Sequence, residues 1–410
     1  MHPAFTSAHA PIVVPGPDCL PAVVPHLLGF HPSRSLVLLG IDPGTRRVHV
    51  TLRFDLPDPV EDPLRVAEAW ASTFGALHQA GGVDTIVLLY PGPEDDPWAG
   101  PWPHDLPRGA LVSALADELT DAGLRPWDAV CVVGGRLRSY WCESDSCCPP
   151  EGRPARWSES LAVQAELVGL GSAPLASREA LESTLDRRPL DDPIVALIAD
   201  ALRRRRGRVV GTDVDQVNRC LAWLATGARA GDLDAVADLV LACSRLRTRD
   251  LLLRALTVDC TDETRNAART RLIEAVGAVP DEYVAPVASV LAVCAWMRGE
   301  GAAARVAVER ALAVDPAYSL AALLSAALDA GTPPWTWRAM MADLTEGEIL
   351  AGGRSGSDVD LDLLGRDDDE SLDLSLDLSL EALDELAADL RDVEPDQGDE
   401  EDEMLDRDLR

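Results

Sequence analysis

Three thiols lie within one short stretch: Cys142, Cys147 and Cys148 in Tyr140-Trp141-Cys142-Glu143-Ser144-Asp145-Ser146-Cys147-Cys148-Pro149-Pro150-Glu151-Gly152. Thiolates are soft ligands, and structural zinc sites use four of them or a thiolate–imidazole mixture. The spacing C-x4-C-C is not that of a standard knuckle, because adjacent side chains rarely both point at one ion. A fourth ligand must come from elsewhere, with Cys131, His26 and His31 as candidates. The same thiols can form a redox pair, Cys142 with Cys147 or Cys148. They can also simply pack in a loop stiffened by Pro149 and Pro150. Zinc is thus one cofactor that the sequence leaves open.

A second group has titratable side chains. His26 and His31 bracket Gly29 in Pro25-His26-Leu27-Leu28-Gly29-Phe30-His31-Pro32. Histidine titrates near neutral pH and suits acid/base or ligand contacts, although a structural hydrogen bond is its commoner use. Arg53 and Asp55 sit on an alternating strand pattern, and Arg138, Trp141 and Glu151 flank the cysteines. Together, His26, His31, Arg53, Asp55, Arg138, Trp141 and Glu151 are the candidates for lining a ligand pocket. Gly134-Gly135-Arg136 can offer backbone N–H groups to an anion, or be only a tight turn. No G-x-S-x-G, H-E-x-x-H or G-x-G-x-x-G occurs, so no reaction is specified. All 37 basic residues are arginine. The lack of lysine excludes a Walker A lysine, a Schiff-base lysine and a kinase-type strand lysine.

Strands and helices must position these groups. Ser35–Ile41 is an apolar run, Asp42-Pro43-Gly44-Thr45 a turn, and Val48, Val50, Leu52 and Phe54 alternate with polar residues, which predicts a hairpin. Residues 62–79 read as a helix with Val66, Trp70, Phe74 and Leu77 on one stripe. Thr85–Tyr90 and Ala129–Val133 read as strands buried on both faces, with a helix through Leu111, Leu115 and Leu119 between them. Helical connections imply parallel pairing. The cysteine stretch follows the last of these strands, where open α/β sheets bind ligands. Residues 1–175 are therefore expected to be an α/β domain with a mixed sheet and a Cys-rich loop.

The second half carries helical patterns only, and 176–342 reads as an all-α domain. Ala295-Trp296, Gly299, Ala303, Ala307, Ala311-Leu312, Asp315-Pro316 and Ala321 resemble one tetratricopeptide helix pair; stable solenoids need about three such units. Arg203, Arg204, Arg205 and Arg206 end a predicted helix. They suit the helix dipole or an acidic partner, including the chain's own tail. Residues 343–371 read as a flexible linker and 372–410 as an acidic, largely disordered tail. Its Leu376, Leu380, Leu383 and Leu390 take a helical spacing that suits docking on a partner.

The charge is uneven. Of 69 acids, 26 lie in residues 343–410 against 5 arginines, and the whole chain carries −32. Such a balance disfavours direct nucleic-acid binding, which depends on phosphate neutralisation. No apolar run is long enough to span a membrane. The nine cysteines are too sparse for a disulfide scaffold, so a cytoplasmic protein with reduced thiols is expected.

The stretches PHLLGFHPSRSLVLLGI, RVHVTLRFDLP, GRLRSYWCESDSCCPPEGRP and AWMRGEGAAARVAVERALAVDPAYSLAALL resemble the actinobacterial family called domain of unknown function 4192. The resemblance runs in collinear order over about residues 10–340 and excludes the tail. It implies an α/β front half and a helical back half. It puts emphasis on His26, Gly29, His31 and Pro32, on Arg53 and Asp55, and on Cys142, Cys147, Cys148, Pro149 and Glu151, with no role attached. The leading expectation is a regulatory or scaffold protein that engages a protein partner through its helical domain and acidic tail. The alternatives are a ligand binder or enzyme with a cleft between the His26–His31 and Cys142–Glu151 segments, and a thiol redox sensor.

Overall fold

The hairpin forms where the alternating pattern places it. β1 (Ser35–Ile41) and β2 (Val48–Asp55) pair antiparallel in the register Leu36↔Phe54, Leu38↔Leu52. The Asp42 side chain accepts from the N–H groups of Gly44 and Thr45, closing the turn. The computed structural model describes residues 17–45, 47–71, 73–74, 77, 84–92, 106–156, 161–169, 172–206, 208, 211–226 and 232–352.

β3 (Asp84–Tyr90), β4 (Arg125–Val133), β5 (Arg136–Ser139) and β6 (Arg153–Pro154) complete a mixed sheet of order β2-β1-β3-β4-β5-β6. Only β3 and β4 are parallel. β1 lies antiparallel to β3, so the expected rule of parallel pairing through helices holds for one pair alone. β5 and β6 are additions to the predicted strands, and they place the cysteine loop between two strands rather than after the last one.

α1 (Leu20–Leu28) precedes the sheet. α2 (Pro63–Ala71) and α3 (Gly109–Asp121) lie along it in sequence. Of the predicted helix over 62–79, Pro63–Ala71 is helical, Thr73 and Phe74 form a turn and Leu77 is again helical. Its stripe nevertheless holds: Phe74 and Leu77 are fully buried with Leu36, Leu38, Val87, Leu89, Leu111, Leu115, Leu119, Ala129 and Cys131, while Val66 and Trp70 pack against them. Trp70 stacks on Phe54 at 4.4 Å between centroids. Strand alternation sends Ile86, Leu88, Tyr90, Val130, Val132, Leu137 and Ser139 to the opposite face.

From α4 (Leu161–Gly169) and α5 (Arg178–Glu182) onward the chain is helical: α6 (Pro193–Arg205), α7 (Asp213–Ala225), α8 (Leu233–Ser244), α9 (Leu246–Arg254), α10 (Asp262–Val276), α11 (Asp281–Trp296), α12 (Gly301–Val314), α13 (Ser319–Asp329), α14 (Pro334–Asp343) and α15 (Glu346–Gly352). Starts are set by side-chain caps, including Asp192, Asp232, Thr261 and a reciprocal Thr212–Asp215 box. α11 is buried along nearly all its length and packs against α8, α10 and α12. The expected helix pair falls on α11 and α12, with Gly299 at φ +78° in the turn between them.

By its contacts the chain divides into residues 1–355, which hold all the described residues, and 356–410. No helix among the described residues is long and apolar enough to cross a membrane.

Candidate functional site

Two neighbouring places gather the chemistry. The first is the loop joining β5 to β6. Ser139, the last residue of β5, donates its hydroxyl to the Asp128 carboxylate at 2.6 Å. It accepts from the N–H groups of Trp141 and Cys142 at 3.1 and 3.2 Å. The Ser144 carbonyl then accepts from both Cys147 N–H (3.0 Å) and Cys148 N–H (2.7 Å). This tight turn folds the two adjacent cysteines back on Cys142. The ligand atoms of Cys142, Cys147 and Cys148 all lie within 4.8 Å of one another. Cys147 is exposed, Cys142 half-buried and Cys148 buried.

Arg153 closes the group. Its Nη1 lies 2.8 Å from Cys148 Sγ and 3.8 Å from Cys147 Sγ. Its Nε is fixed by Asp18 Oδ1 at 2.8 Å. Asp18 belongs to the turn Pro17–Cys19 ahead of α1, and its carbonyl accepts from Arg156 N–H. The start of α1 is thus fastened to the chain leaving β6. A hydrogen bond from the Ser144 backbone, aided by the Cys148 thiol, draws the Cys142 thiol below its ordinary range. Burial pushes Cys148 up to about 11, against the pull of Arg153. Burial also raises the Asp128 carboxyl, with Ser139 and the Ala129 N–H opposing it.

The second place is a cleft of about 420 Å³ at the carboxyl ends of β3 and β4. Its walls are Tyr90-Pro91-Gly92 from β3, Val132-Val133-Gly134-Gly135 from β4, His31-Pro32-Ser33 ahead of β1, and Pro21 and Pro25 of α1. Gly134 and Gly135 have φ +55° and +75°, which suits a two-residue hairpin turn between β4 and β5. A Cβ on Gly134 would meet nothing within 4 Å. Gly29, at φ +81°, ends α1 with its N–H on Pro25 O. Leu175 then pairs with Gly29 and His31 through backbone hydrogen bonds of 2.8 and 2.9 Å, which holds His31 at the rim. The Tyr90 hydroxyl is buried and has no hydrogen-bond partner among the described residues. Burial holds it above the ordinary phenol range.

The sequence candidates divide between these places. His31 lines the cleft, and His26 stands behind it with Nδ1 3.0 Å from Ser172 Oγ. Burial, with the charge of His31 second, lowers the His26 pKa. Arg53 and Asp55 pair with each other at 2.5 Å. Arg53 Nε also donates to Ser35 Oγ, and the guanidinium lies over the Phe30 ring. Arg138 is on β5 in register with Cys131. Trp141 is exposed. Glu151 contributes its carbonyl to Arg136 Nε. None of these five lines the cleft, whose walls do not include the cysteines either.

The Arg203–Arg206 run is engaged within the folded unit. Arg203 and Arg204 pair with Asp200, Arg204 also with Asp234, Arg205 with Asp238, and Arg206 with Glu282. Leu376, Leu380, Leu383 and Leu390 lie outside the described residues. Sequence reasoning missed Tyr90, Asp18, Asp128, Ser139 and Arg153. Tyr90 reads as the end of a core strand, and Asp18 and Arg153 are 135 positions apart with no local pattern to join them.

A family model described as Domain of unknown function (DUF4192) matches residues 17–335. No curated protein and no solved structure matches the chain.

Proposed function

The chain belongs to this domain-of-unknown-function family, and we propose that it binds a small polar or anionic molecule in the cleft beside His31. One observation carries the reading: the cleft lies at the carboxyl ends of the sole parallel strand pair among the described residues. That is where α/β sheets leave a crevice, because the connections from adjacent strands diverge there. The lining suits a molecule with both an apolar and a polar part. Pro21, Pro25, Pro32 and Pro91 supply apolar surface, while His31, Ser33 and the Gly134–Gly135 backbone supply hydrogen-bonding groups. An unpaired buried hydroxyl such as that of Tyr90 costs about 1–3 kcal/mol, a penalty relieved if occupancy lets a ligand or water reach it.

The expected regulatory or scaffold role lacks a comparable carrier. The tail lies outside the described residues, and the arginine run already has acidic partners within its own fold. The test is thermal unfolding of the full chain with inorganic phosphate, a nucleoside monophosphate and a dicarboxylate as probes. A ligand at a hundredfold its Kd stabilises by about 2.7 kcal/mol. At least one probe is expected to raise the midpoint, with the rise lost in His31→Ala. No rise with any probe, or an equal rise in His31→Ala, overturns the reading.

A further inference from the structure

We propose that Cys142, Cys147 and Cys148 form a three-thiolate zinc site that keeps its fourth position open to solvent. This site is separate from the cleft and does not depend on it.

The geometry comes first. Zn–S bonds of about 2.3 Å in a tetrahedral site put the sulfurs about 3.8 Å apart. The three sulfurs here are all within 4.8 Å of one another. Closing on an ion therefore takes a shift of about half an ångström per sulfur at most. The usual objection to adjacent cysteines as joint ligands is met by the local fold. The Ser144 carbonyl holds both the Cys147 and the Cys148 N–H, so that both side chains turn toward Cys142.

Charge is the second argument. Three thiolates and one zinc ion leave a net −1. Arg153 stands against two of the sulfurs with +1, and the −1 of Asp18, which fixes it from behind, is balanced by Arg156, so that the whole group sums to zero. N–H donors to ligating sulfur are the usual outer layer of such sites. Ser139 fixes the remaining ligand, through the Cys142 N–H, and is itself fixed by Asp128.

The fourth position follows from what is absent around the loop. No further Cys, His, Asp or Glu joins the group among the described residues. Cys131 is buried in the core on the other face of the sheet, His26 is on Ser172, and His31 is at the cleft rim. With Cys147 exposed, water takes that position, the arrangement of exchangeable and catalytic zinc rather than of closed structural zinc. A disulfide within the group would leave one thiol over, and Cys142, Cys147 and Cys148 are not disulfide-bonded.

The experiment is elemental analysis of the full chain, purified with reductant and without chelator, followed by cobalt(II) replacement. About one zinc per chain is expected, with a thiolate-to-cobalt charge-transfer band after replacement. Cys147→Ser should lower bound zinc at least tenfold and abolish the band. Cys147 is exposed, so this variant leaves the fold intact even where Cys148→Ser does not. Cys220→Ser, in the helical half, should change neither readout. The proposal is overturned by a chain that holds no zinc and gives no charge-transfer band. It is overturned equally by zinc that persists in both Cys142→Ser and Cys147→Ser, or by a disulfide within the loop found by mass.

Discussion

At Cys148 and His26 the same force shifts the pKa in opposite directions with the same consequence for charge. Burial raises the thiol and lowers the imidazole, because each then favours its neutral form. For His26 the sign is plain. Its folded pKa lies below the ordinary 6.5, with burial the larger cause and His31 the smaller. The stability it contributes is therefore present above that value and lost as pH falls through the folded pKa. NMR titration is expected to place the His26 midpoint below 6.5, and His31→Gln should move it upward. The loss of stability on acidification should be smaller in His26→Gln, as read from urea midpoints. At this scale the sequence was informative where one residue type carries its own chemistry, as with His31 and the three cysteines. It was silent on groups that acquire meaning only from a distant neighbour, as Arg153 does from Asp18. Tyr90 was hidden differently, since an aromatic at a strand end reads as core until the crevice beside it is seen.

Among the elements, long periodic segments were legible and short ones were not. The stripe Leu111, Leu115, Leu119 and the β1–β2 alternation both fell where their periods put them. β5 has four residues and β6 two, too few for any period to show. The antiparallel lie of β1 against β3 was also out of reach, because pairing direction across residues 56–83 is a tertiary choice. Between α9 and α10 the backbone widens into a π-helix, Ala255–Asp259, which breaks the usual hydrogen-bond ladder. Arg265, buried on α10, repairs it. Its Nε donates to Leu256 O at 2.7 Å, and Nη2 reaches the carbonyls of Cys260 and Thr257. Trp337 Nε1 adds a bond to Thr257 Oγ1. Arg265→Ala removes these donors from a dry site and should cost about 3 kcal/mol. A lower urea midpoint at unchanged slope would confirm it; a loss below about 1 kcal/mol would show that water reaches the carbonyls.

For the molecule as a whole, the family match ends at residue 335 and the first unit at 355. A chain ending at 355 is expected to keep the circular dichroism and thermal midpoint of the full protein. A fall of several degrees would mean that residues 356–410 contribute to the fold. That a mixed sheet comes first and helices follow was legible from composition and period. How the two halves are joined was not, because the joint is a tertiary packing of α1 against α12, far apart in sequence. The sheet also has a built-in order of assembly. The β1–β2 hairpin closes over a few residues, whereas β3 and β4 meet only after residues 91–124 have crossed from one to the other. Loop closure delays the second event and makes it the more topologically demanding step. The crevice at the ends of β3 and β4 is therefore expected to form late in folding, with β3 and β4 amides protected after those of β1 and β2 in pulsed hydrogen exchange. A nascent or partly refolded chain can have its hairpin and helices in place while still having nowhere for a ligand to sit.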